Sequence, residues 1–360
     1  MVEADLLCRE LQPLLAEKDE FMPKITFDNY PLATVACFDA TSGELPRRFL
    51  DVQRNNLFLK KLAEQNVSAV LIGASTGQGH VRTPEELDQW FLSTKEVELG
   101  NTIKIALLRP EDGPDWHQQH VETLVQAGFD IAFVRPGTNL DADATCQEVS
   151  RDMQSACQAV VEADLALGVY SIPDVSGVPL GTDAVADLQQ VFGQHLVAVK
   201  VTEADYQSST KKFLTDQRLQ DLKIVQGWDP FLANALQDDP VRCGVTSGPM
   251  SFAVFQYLHI LEAAQRNDWQ EVQQAQLAVT SLFQSMQDDP AKFADLQRAK
   301  YIMGLGHPLL NTISQQQIER VFAALQQLPR PADRERLSRS LNLMQDGPFG
   351  DRLLTEESAA

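Results

Sequence analysis

Short apolar runs alternate with amphipathic stretches along most of this chain. Leu32 to Ala40 (LATVACFDA) has the make-up of a strand. The following FLDVQRNNLFLKKLAEQN places apolar residues three and four apart, the spacing of a helix with one buried face. Val67 to Ser75 (VSAVLIGAS) reads as a second strand. Thr83-Pro84 opens the helix after it, since proline fits the first helical position. TIKIALLRP, DIAFVRP, LALGVYSIP, HLVAVK, LKIVQGWD and VRCGVTSG continue the series as strands three to eight, separated by helical stretches. Strands that are apolar throughout, rather than at alternate positions, are strands buried on both faces.

Eight such strands separated by single helices predict an α/β protein of the (β/α)8 TIM-barrel class over residues 24–256. A doubly wound open sheet is the alternative, but no G-x-G-x-x-G follows the first strand. Residues 1–23 read as an N-terminal helical extension. A C-terminal helical region follows the barrel over 257–345, with 346–360 as a flexible tail. Three helices are expected after the barrel, the first running unbroken through FAVFQYLHILEAAQRNDWQEVQQAQLAVTSLFQSM.

The 360 residues are 44% hydrophobic and 22% charged, an ordinary globular balance. A net charge of −20 argues against nucleic acid or an anionic membrane as partner. An anionic substrate therefore needs a local positive exception. The five cysteines are odd in number and form no C-x-x-C pair, which reads as reduced thiols and a cytoplasmic protein. The acidic N-terminal stretch lacks the pattern of a signal peptide, and no apolar run approaches the about 18 residues of a membrane span.

In such a barrel the chemistry lies at the C-terminal ends of the strands. Those positions hold Asp39, Ser75 and Thr76, Arg109, Arg135, Tyr170, Lys200, Asp229, and Thr246 with Ser247. Lys200 closes HLVAVK, and Tyr170 sits at the end of the strand before it. An amine in apolar surroundings gives up its proton more readily and can attack a carbonyl carbon, and a neighbouring phenol can move the protons involved. A lysine snorkelling to solvent and a core tyrosine are the plain alternatives. His117 and His120, three apart, read as a solvated helix face rather than a metal site, and no metal or cofactor is expected.

The ordered set ASTGQ (Ala74 to Gln78), YSIP (Tyr170 to Pro173), AVK (Ala198 to Lys200), QGWD, CGVTSG and LQRAKYIMGLG resembles the pyruvate-dependent class I aldolase and lyase family, which includes dihydrodipicolinate synthase and N-acetylneuraminate lyase. The resemblance covers nearly the whole barrel and its helical tail. It implies that Lys200 forms a Schiff base with the keto carbon of a 2-oxo acid and that Tyr170 is the acid/base. It implies too that Ala74, Ser75 and Thr76 hold the substrate carboxylate. Thr202 lies two residues after the lysine, and Gly227-Trp228-Asp229 follows strand seven. By the same resemblance, Thr202, Gly227, Asp229 and Thr246 bind substrate, which favours a hydroxylated acid. Capping or turn roles are the alternative for Thr202 and Asp229.

Three departures qualify this. Val175 stands where dihydrodipicolinate synthase has an arginine, which removes a bidentate carboxylate clamp and argues against that activity. FVRPGTNLDAD lacks the family's relay tyrosine after strand four, and the loop after strand two has Gln78 for the family glutamate and Ala74 for its first glycine. Arg135 is an added strand-end cation, open between anion binding and an ion pair. The expected function is a Schiff-base lyase or aldolase on a 2-oxo acid, working as a homo-oligomer (dimer or tetramer). A deoxy-sugar-acid dehydratase and a catalytically impaired anion-binding homologue are the alternatives, with a phosphate-binding barrel built on GVTSG further off.

Overall fold

All eight apolar runs become the wall of a closed parallel barrel. The structure, a computed structural model, describes residues 24–287 and 293–353. The expected N-terminal helix (1–23) lies outside the described residues, as do 354–360 of the expected tail. Ten strands occur among the described residues: β1 (Ala33–Ala36), β2 (Thr41–Ser42), β3 (Phe49–Leu50), β4 (Ala69–Ile72), β5 (Ile103–Leu108), β6 (Ile131–Val134), β7 (Ala166–Ser171), β8 (Leu196–Val201), β9 (Lys223–Gln226) and β10 (Cys243–Ser247). The barrel order is β1-β10-β9-β8-β7-β6-β5-β4, while β2 and β3 form a small antiparallel ribbon. The ribbon was not foreseen, because two-residue strands leave no periodic signal. Apart from Ile103 at the start of β5, every barrel-strand residue is buried, as strands covered on both faces require.

The described residues divide into two compact units: 24–30 with 105–225, and 31–104 with 226–353. In the first unit, Phe133 of β6 pairs in register with Gly168 of β7. A Cβ at Gly168 would lie 2.6 Å from the Phe133 ring, so only glycine admits the ring there. The helix Cys146–Glu162 starts with a capping box, Thr145 and Glu148 each bonding the other's backbone amide.

In the second unit the Thr83-Pro84 start seen in the sequence is also a capping box, completed by Glu86. The long helix expected after β10 is in fact two, Val254–Gln265 and Trp269–Gln284. Asn267 adopts a left-handed backbone between them, and the Asp268 side chain caps the second. Gln297–Ile302 and Gln315–Gln327 follow as expected, and Pro331–Leu341 is an additional helix. Residues 346–353 of the expected tail make contacts. Asp346 pairs with Arg54 at 2.6 Å, and the Phe349 ring lies 5.6 Å from that of Phe322.

A buried charge network ties the C-terminal helices to the β1 end in this unit. Asp39 accepts from Lys300 at 2.7 Å, from Arg82, and from Gln78 at 3.1 Å, and Asp39 and Lys300 are fully buried. Burial pushes the Asp39 carboxyl up, but the charges of Lys300 and Arg82 more than reverse this, leaving it below the usual carboxylate value. Burial pushes the Lys300 amine down to about 8 despite the pull of Asp39. Removing one partner of a buried ion pair leaves a charge without full compensation. Lys300→Ala is expected to cost about 3–5 kcal/mol, seen as a lower denaturant midpoint. Lys61→Ala, which breaks a surface pair with Glu64, is expected to change stability by less than about 1 kcal/mol.

Candidate active site

The first unit brings Lys200, Tyr170 and Thr202 together. β7 and β8 run parallel with Tyr170 opposite Lys200 and Ser171 opposite Val201. Both Lys200 and Tyr170 are only 3% exposed, so the amine is withdrawn from solvent and does not snorkel. Its Nζ lies 3.9 Å from the centroid of the Tyr170 ring, where the electron-rich face offsets part of the lost hydration of an ammonium. The Tyr170 hydroxyl is 3.1 Å from Thr202 Oγ1. Thr202 thus faces the phenol rather than capping a turn. Its backbone amide continues the pairing by donating to the Ser171 carbonyl at 2.9 Å.

One residue further along the chain from Tyr170 and from Thr202, the Ser171 hydroxyl donates to Glu203 Oε1 at 2.6 Å and accepts from the Leu180 amide at 2.8 Å. The sequence reading missed both residues. The only signal was their position beside Tyr170 and Thr202. Burial pushes the Glu203 carboxyl up, and the charge of Asp205 adds to this, while the Ser171 hydrogen bond and Lys212 oppose it.

The other strand-end cations of this unit are committed to ion pairs. Arg109 holds Asp112 through two bonds, of 2.8 and 2.6 Å, and Arg135 pairs with Glu111 while donating to the Pro136 carbonyl. For Arg135 the ion-pair alternative is therefore the observed one. His117 and His120 do not form the solvated face expected of them, being 2% and 1% exposed. His117 sits between Ser155 Oγ and the Arg109 carbonyl, at 3.2 and 3.1 Å, and burial pushes its imidazole down. The helix turns this pair inward onto the segment after β5, which local spacing does not reveal.

In the second unit Ala74, Ser75 and Thr76 lie in a buried loop after β4, with Ser75–Gly77 forming a single 3-10 turn. The Gly77 and Gly79 amides both donate to the Ala74 carbonyl at 3.0 Å. A Cβ at Gly79 would collide with the Gly73 carbonyl, so the loop closes on itself only with glycine there. Gln297 donates to the Thr76 carbonyl at 2.9 Å, and Gln78 Oε1 accepts from the Leu309 amide at 2.7 Å. The C-terminal segment thereby holds this loop from two sides.

Gly227 is buried beside β9, and Asp229 does not cap a helix with its side chain. Asp229 Oδ1 instead accepts from both Ser247 and Tyr257, whose hydroxyls are 3.1 Å apart. Burial first, then the Asp229 charge, raise the Tyr257 phenol well above its ordinary value. Tyr257 lies in a helix whose apolar pattern disguised it as core. The Thr246 hydroxyl is buried and has no hydrogen-bond partner among the described residues. Tyr257→Phe, which removes one donor to a buried carboxylate, is expected to lower stability by about 1–3 kcal/mol, measured by chemical unfolding.

No family model matches the chain, and no curated protein matches its sequence. Solved structures do match. The chain shares the fold of the dihydrodipicolinate synthase family. YagE from Escherichia coli K12, a prophage protein belonging to that family and solved in complex with pyruvate, aligns at 16% identity over 82% of this chain and 98% of its own, with a TM-score of 0.71. Dihydrodipicolinate synthase DapA-2 from Bacillus anthracis aligns at 17% identity over 83% and 99%, TM-score 0.69. A Sulfolobus 2-keto-3-deoxygluconate aldolase in complex with D-KDPG aligns at 12% over 82% and 95%, TM-score 0.67. No helix among the described residues is long and apolar enough to cross a membrane.

Proposed function

We propose that this chain is a divergent member of the pyruvate-dependent class I aldolase and lyase family and cleaves or forms a carbon–carbon bond next to a 2-oxo acid. The observation that carries this is the buried Lys200 amine over the Tyr170 ring, with the phenol tied to Thr202, at the C-terminal ends of two adjacent strands. The neutral amine attacks the keto carbon, and loss of water gives an imine. In the cleavage direction Tyr170 takes the proton of the substrate hydroxyl as the carbon–carbon bond breaks. An aldehyde leaves, and the electron pair is held as an enamine. Protonation of that enamine and addition of water release pyruvate and restore the amine.

In this reading Ser75 and Thr76, with Ala74, take the carboxylate, a role that suits amides at the open start of a turn. Thr246, with its unpartnered hydroxyl, and Gly227 serve the substrate's hydroxylated part. Asp229, held by Ser247 and Tyr257, lies with them on the substrate side, and Thr202 serves the substrate while it orients Tyr170. Val175, in the half-buried turn Pro173–Ser176, offers no guanidinium for a second carboxylate, which supports a substrate other than that of dihydrodipicolinate synthase. The chain is taken to work as a cytoplasmic homo-oligomer, with no cofactor.

A panel of hydroxylated 2-oxo acids assayed for pyruvate release tests the reading. At least one member should turn over with the wild-type chain. Lys200→Ala should abolish the reaction, and Tyr170→Phe should slow it about 10²–10⁴-fold, the usual contribution of a positioned acid/base. Pyruvate release undiminished in Lys200→Ala would refute the mechanism.

A further inference from the structure

The end of β7 is joined to the segment directly after β8 by two side-chain hydrogen bonds between successive residues on each side. Tyr170 meets Thr202, and Ser171 meets Glu203. Successive residues of a strand point to opposite faces, so Tyr170 and Ser171 serve different sides of the wall. We propose that Glu203 is a positioning residue for the proposed reaction, its carboxylate latching β7 to β8 through Ser171 so that Thr202 is held against the Tyr170 phenol. The inference rests on the function proposed above.

The bonding of Ser171 leaves its hydroxyl one arrangement. Its oxygen accepts the Leu180 N–H, so its own proton goes to Glu203 Oε1. The 2.6 Å length matches a hydroxyl bonded to an ionised carboxylate. Ser171 is fully buried, so solvent does not replace this acceptor when it is lost. Thr202 precedes Glu203 directly, and its amide is bonded to the Ser171 carbonyl, so backbone and side chain fix the same two residues. A phenol that moves protons works when its hydroxyl is held by a partner at a defined position, and here that partner is Thr202.

The charge on Glu203 makes the latch pH-sensitive. The groups facing it are Ser171 from β7, Asp205 from its own segment and Lys212 from the helix Thr210–Thr215. With its carboxyl raised above the ordinary range, the charged form is complete above that raised value and is lost as pH falls through it. The neutral acid accepts more weakly from Ser171.

Two readouts on the full-length chain separate this from the parent proposal. Borohydride reduction in the presence of pyruvate reports imine formation at Lys200, and exchange of the pyruvate methyl protons with D2O reports proton transfer. Wild type is expected to show both, with exchange falling at acidic pH. Glu203→Gln should keep the adduct, which also shows that the chain is folded, while exchange drops about 10–100-fold and its acid limb loses the part due to Glu203, leaving that of the Lys200 amine. Ser171→Ala, removing the same bond from the other side, should lower exchange by a similar factor, and the double variant should lose little more. An unchanged exchange rate and acid limb in Glu203→Gln, with the adduct present, overturns this inference alone. No adduct in wild type overturns the parent reading and this one together.

Discussion

The structure depends most on where two lysine ammonium groups can be placed inside a barrel protein. Burying an ammonium costs several kcal/mol unless something returns part of its hydration energy. Lys300 is answered by a carboxylate, Asp39, at 2.7 Å within a network that includes Arg82 and Gln78. Lys200 lies against an aromatic face, 3.9 Å from the Tyr170 centroid. The first arrangement ties distant segments together. The second leaves an amine beside a phenol at a strand end, which is the arrangement that nucleophilic chemistry needs.

The Lys300 network also bears on the loop expected to take the carboxylate. Asp39 is bonded by Gln78, and Gln78 by the Leu309 amide, while Gln297 reaches the Thr76 carbonyl. In the resembling family a glutamate stands where this chain has Gln78. Here the negative charge sits instead on Asp39, at the end of the β1 segment, and Gln78 serves it as a neutral donor. The amide's two ends join carboxylate to backbone, so the loop keeps a fixed shape without a charge of its own.

Much of the fold was legible because its strands are buried on both faces, which writes a continuous apolar run into the sequence. Lys200 and Tyr170 were legible for the same reason, as polar residues that interrupt the ends of such runs. The two-residue strands of the ribbon left no pattern, and the helix break at Asn267 was hidden inside a long amphipathic stretch. Residues whose role comes only from a partner distant in sequence could not be read. Tyr257 looks like core until Asp229 is placed beside it, and Glu203 looks like a solvated acid until Ser171 is. His117 and His120 failed for the reverse reason, since their spacing says nothing of the segment that covers them.

The central claim is that the Lys200 amine is the group that bonds the substrate, and reductive trapping reads it directly. Borohydride added to the protein with pyruvate, followed by peptide mass mapping, should place one reduced pyruvate on the peptide containing Lys200 and none on the peptide containing Lys300. A chain that stays unmodified, or one labelled at another lysine while Lys200 remains free, would contradict the account.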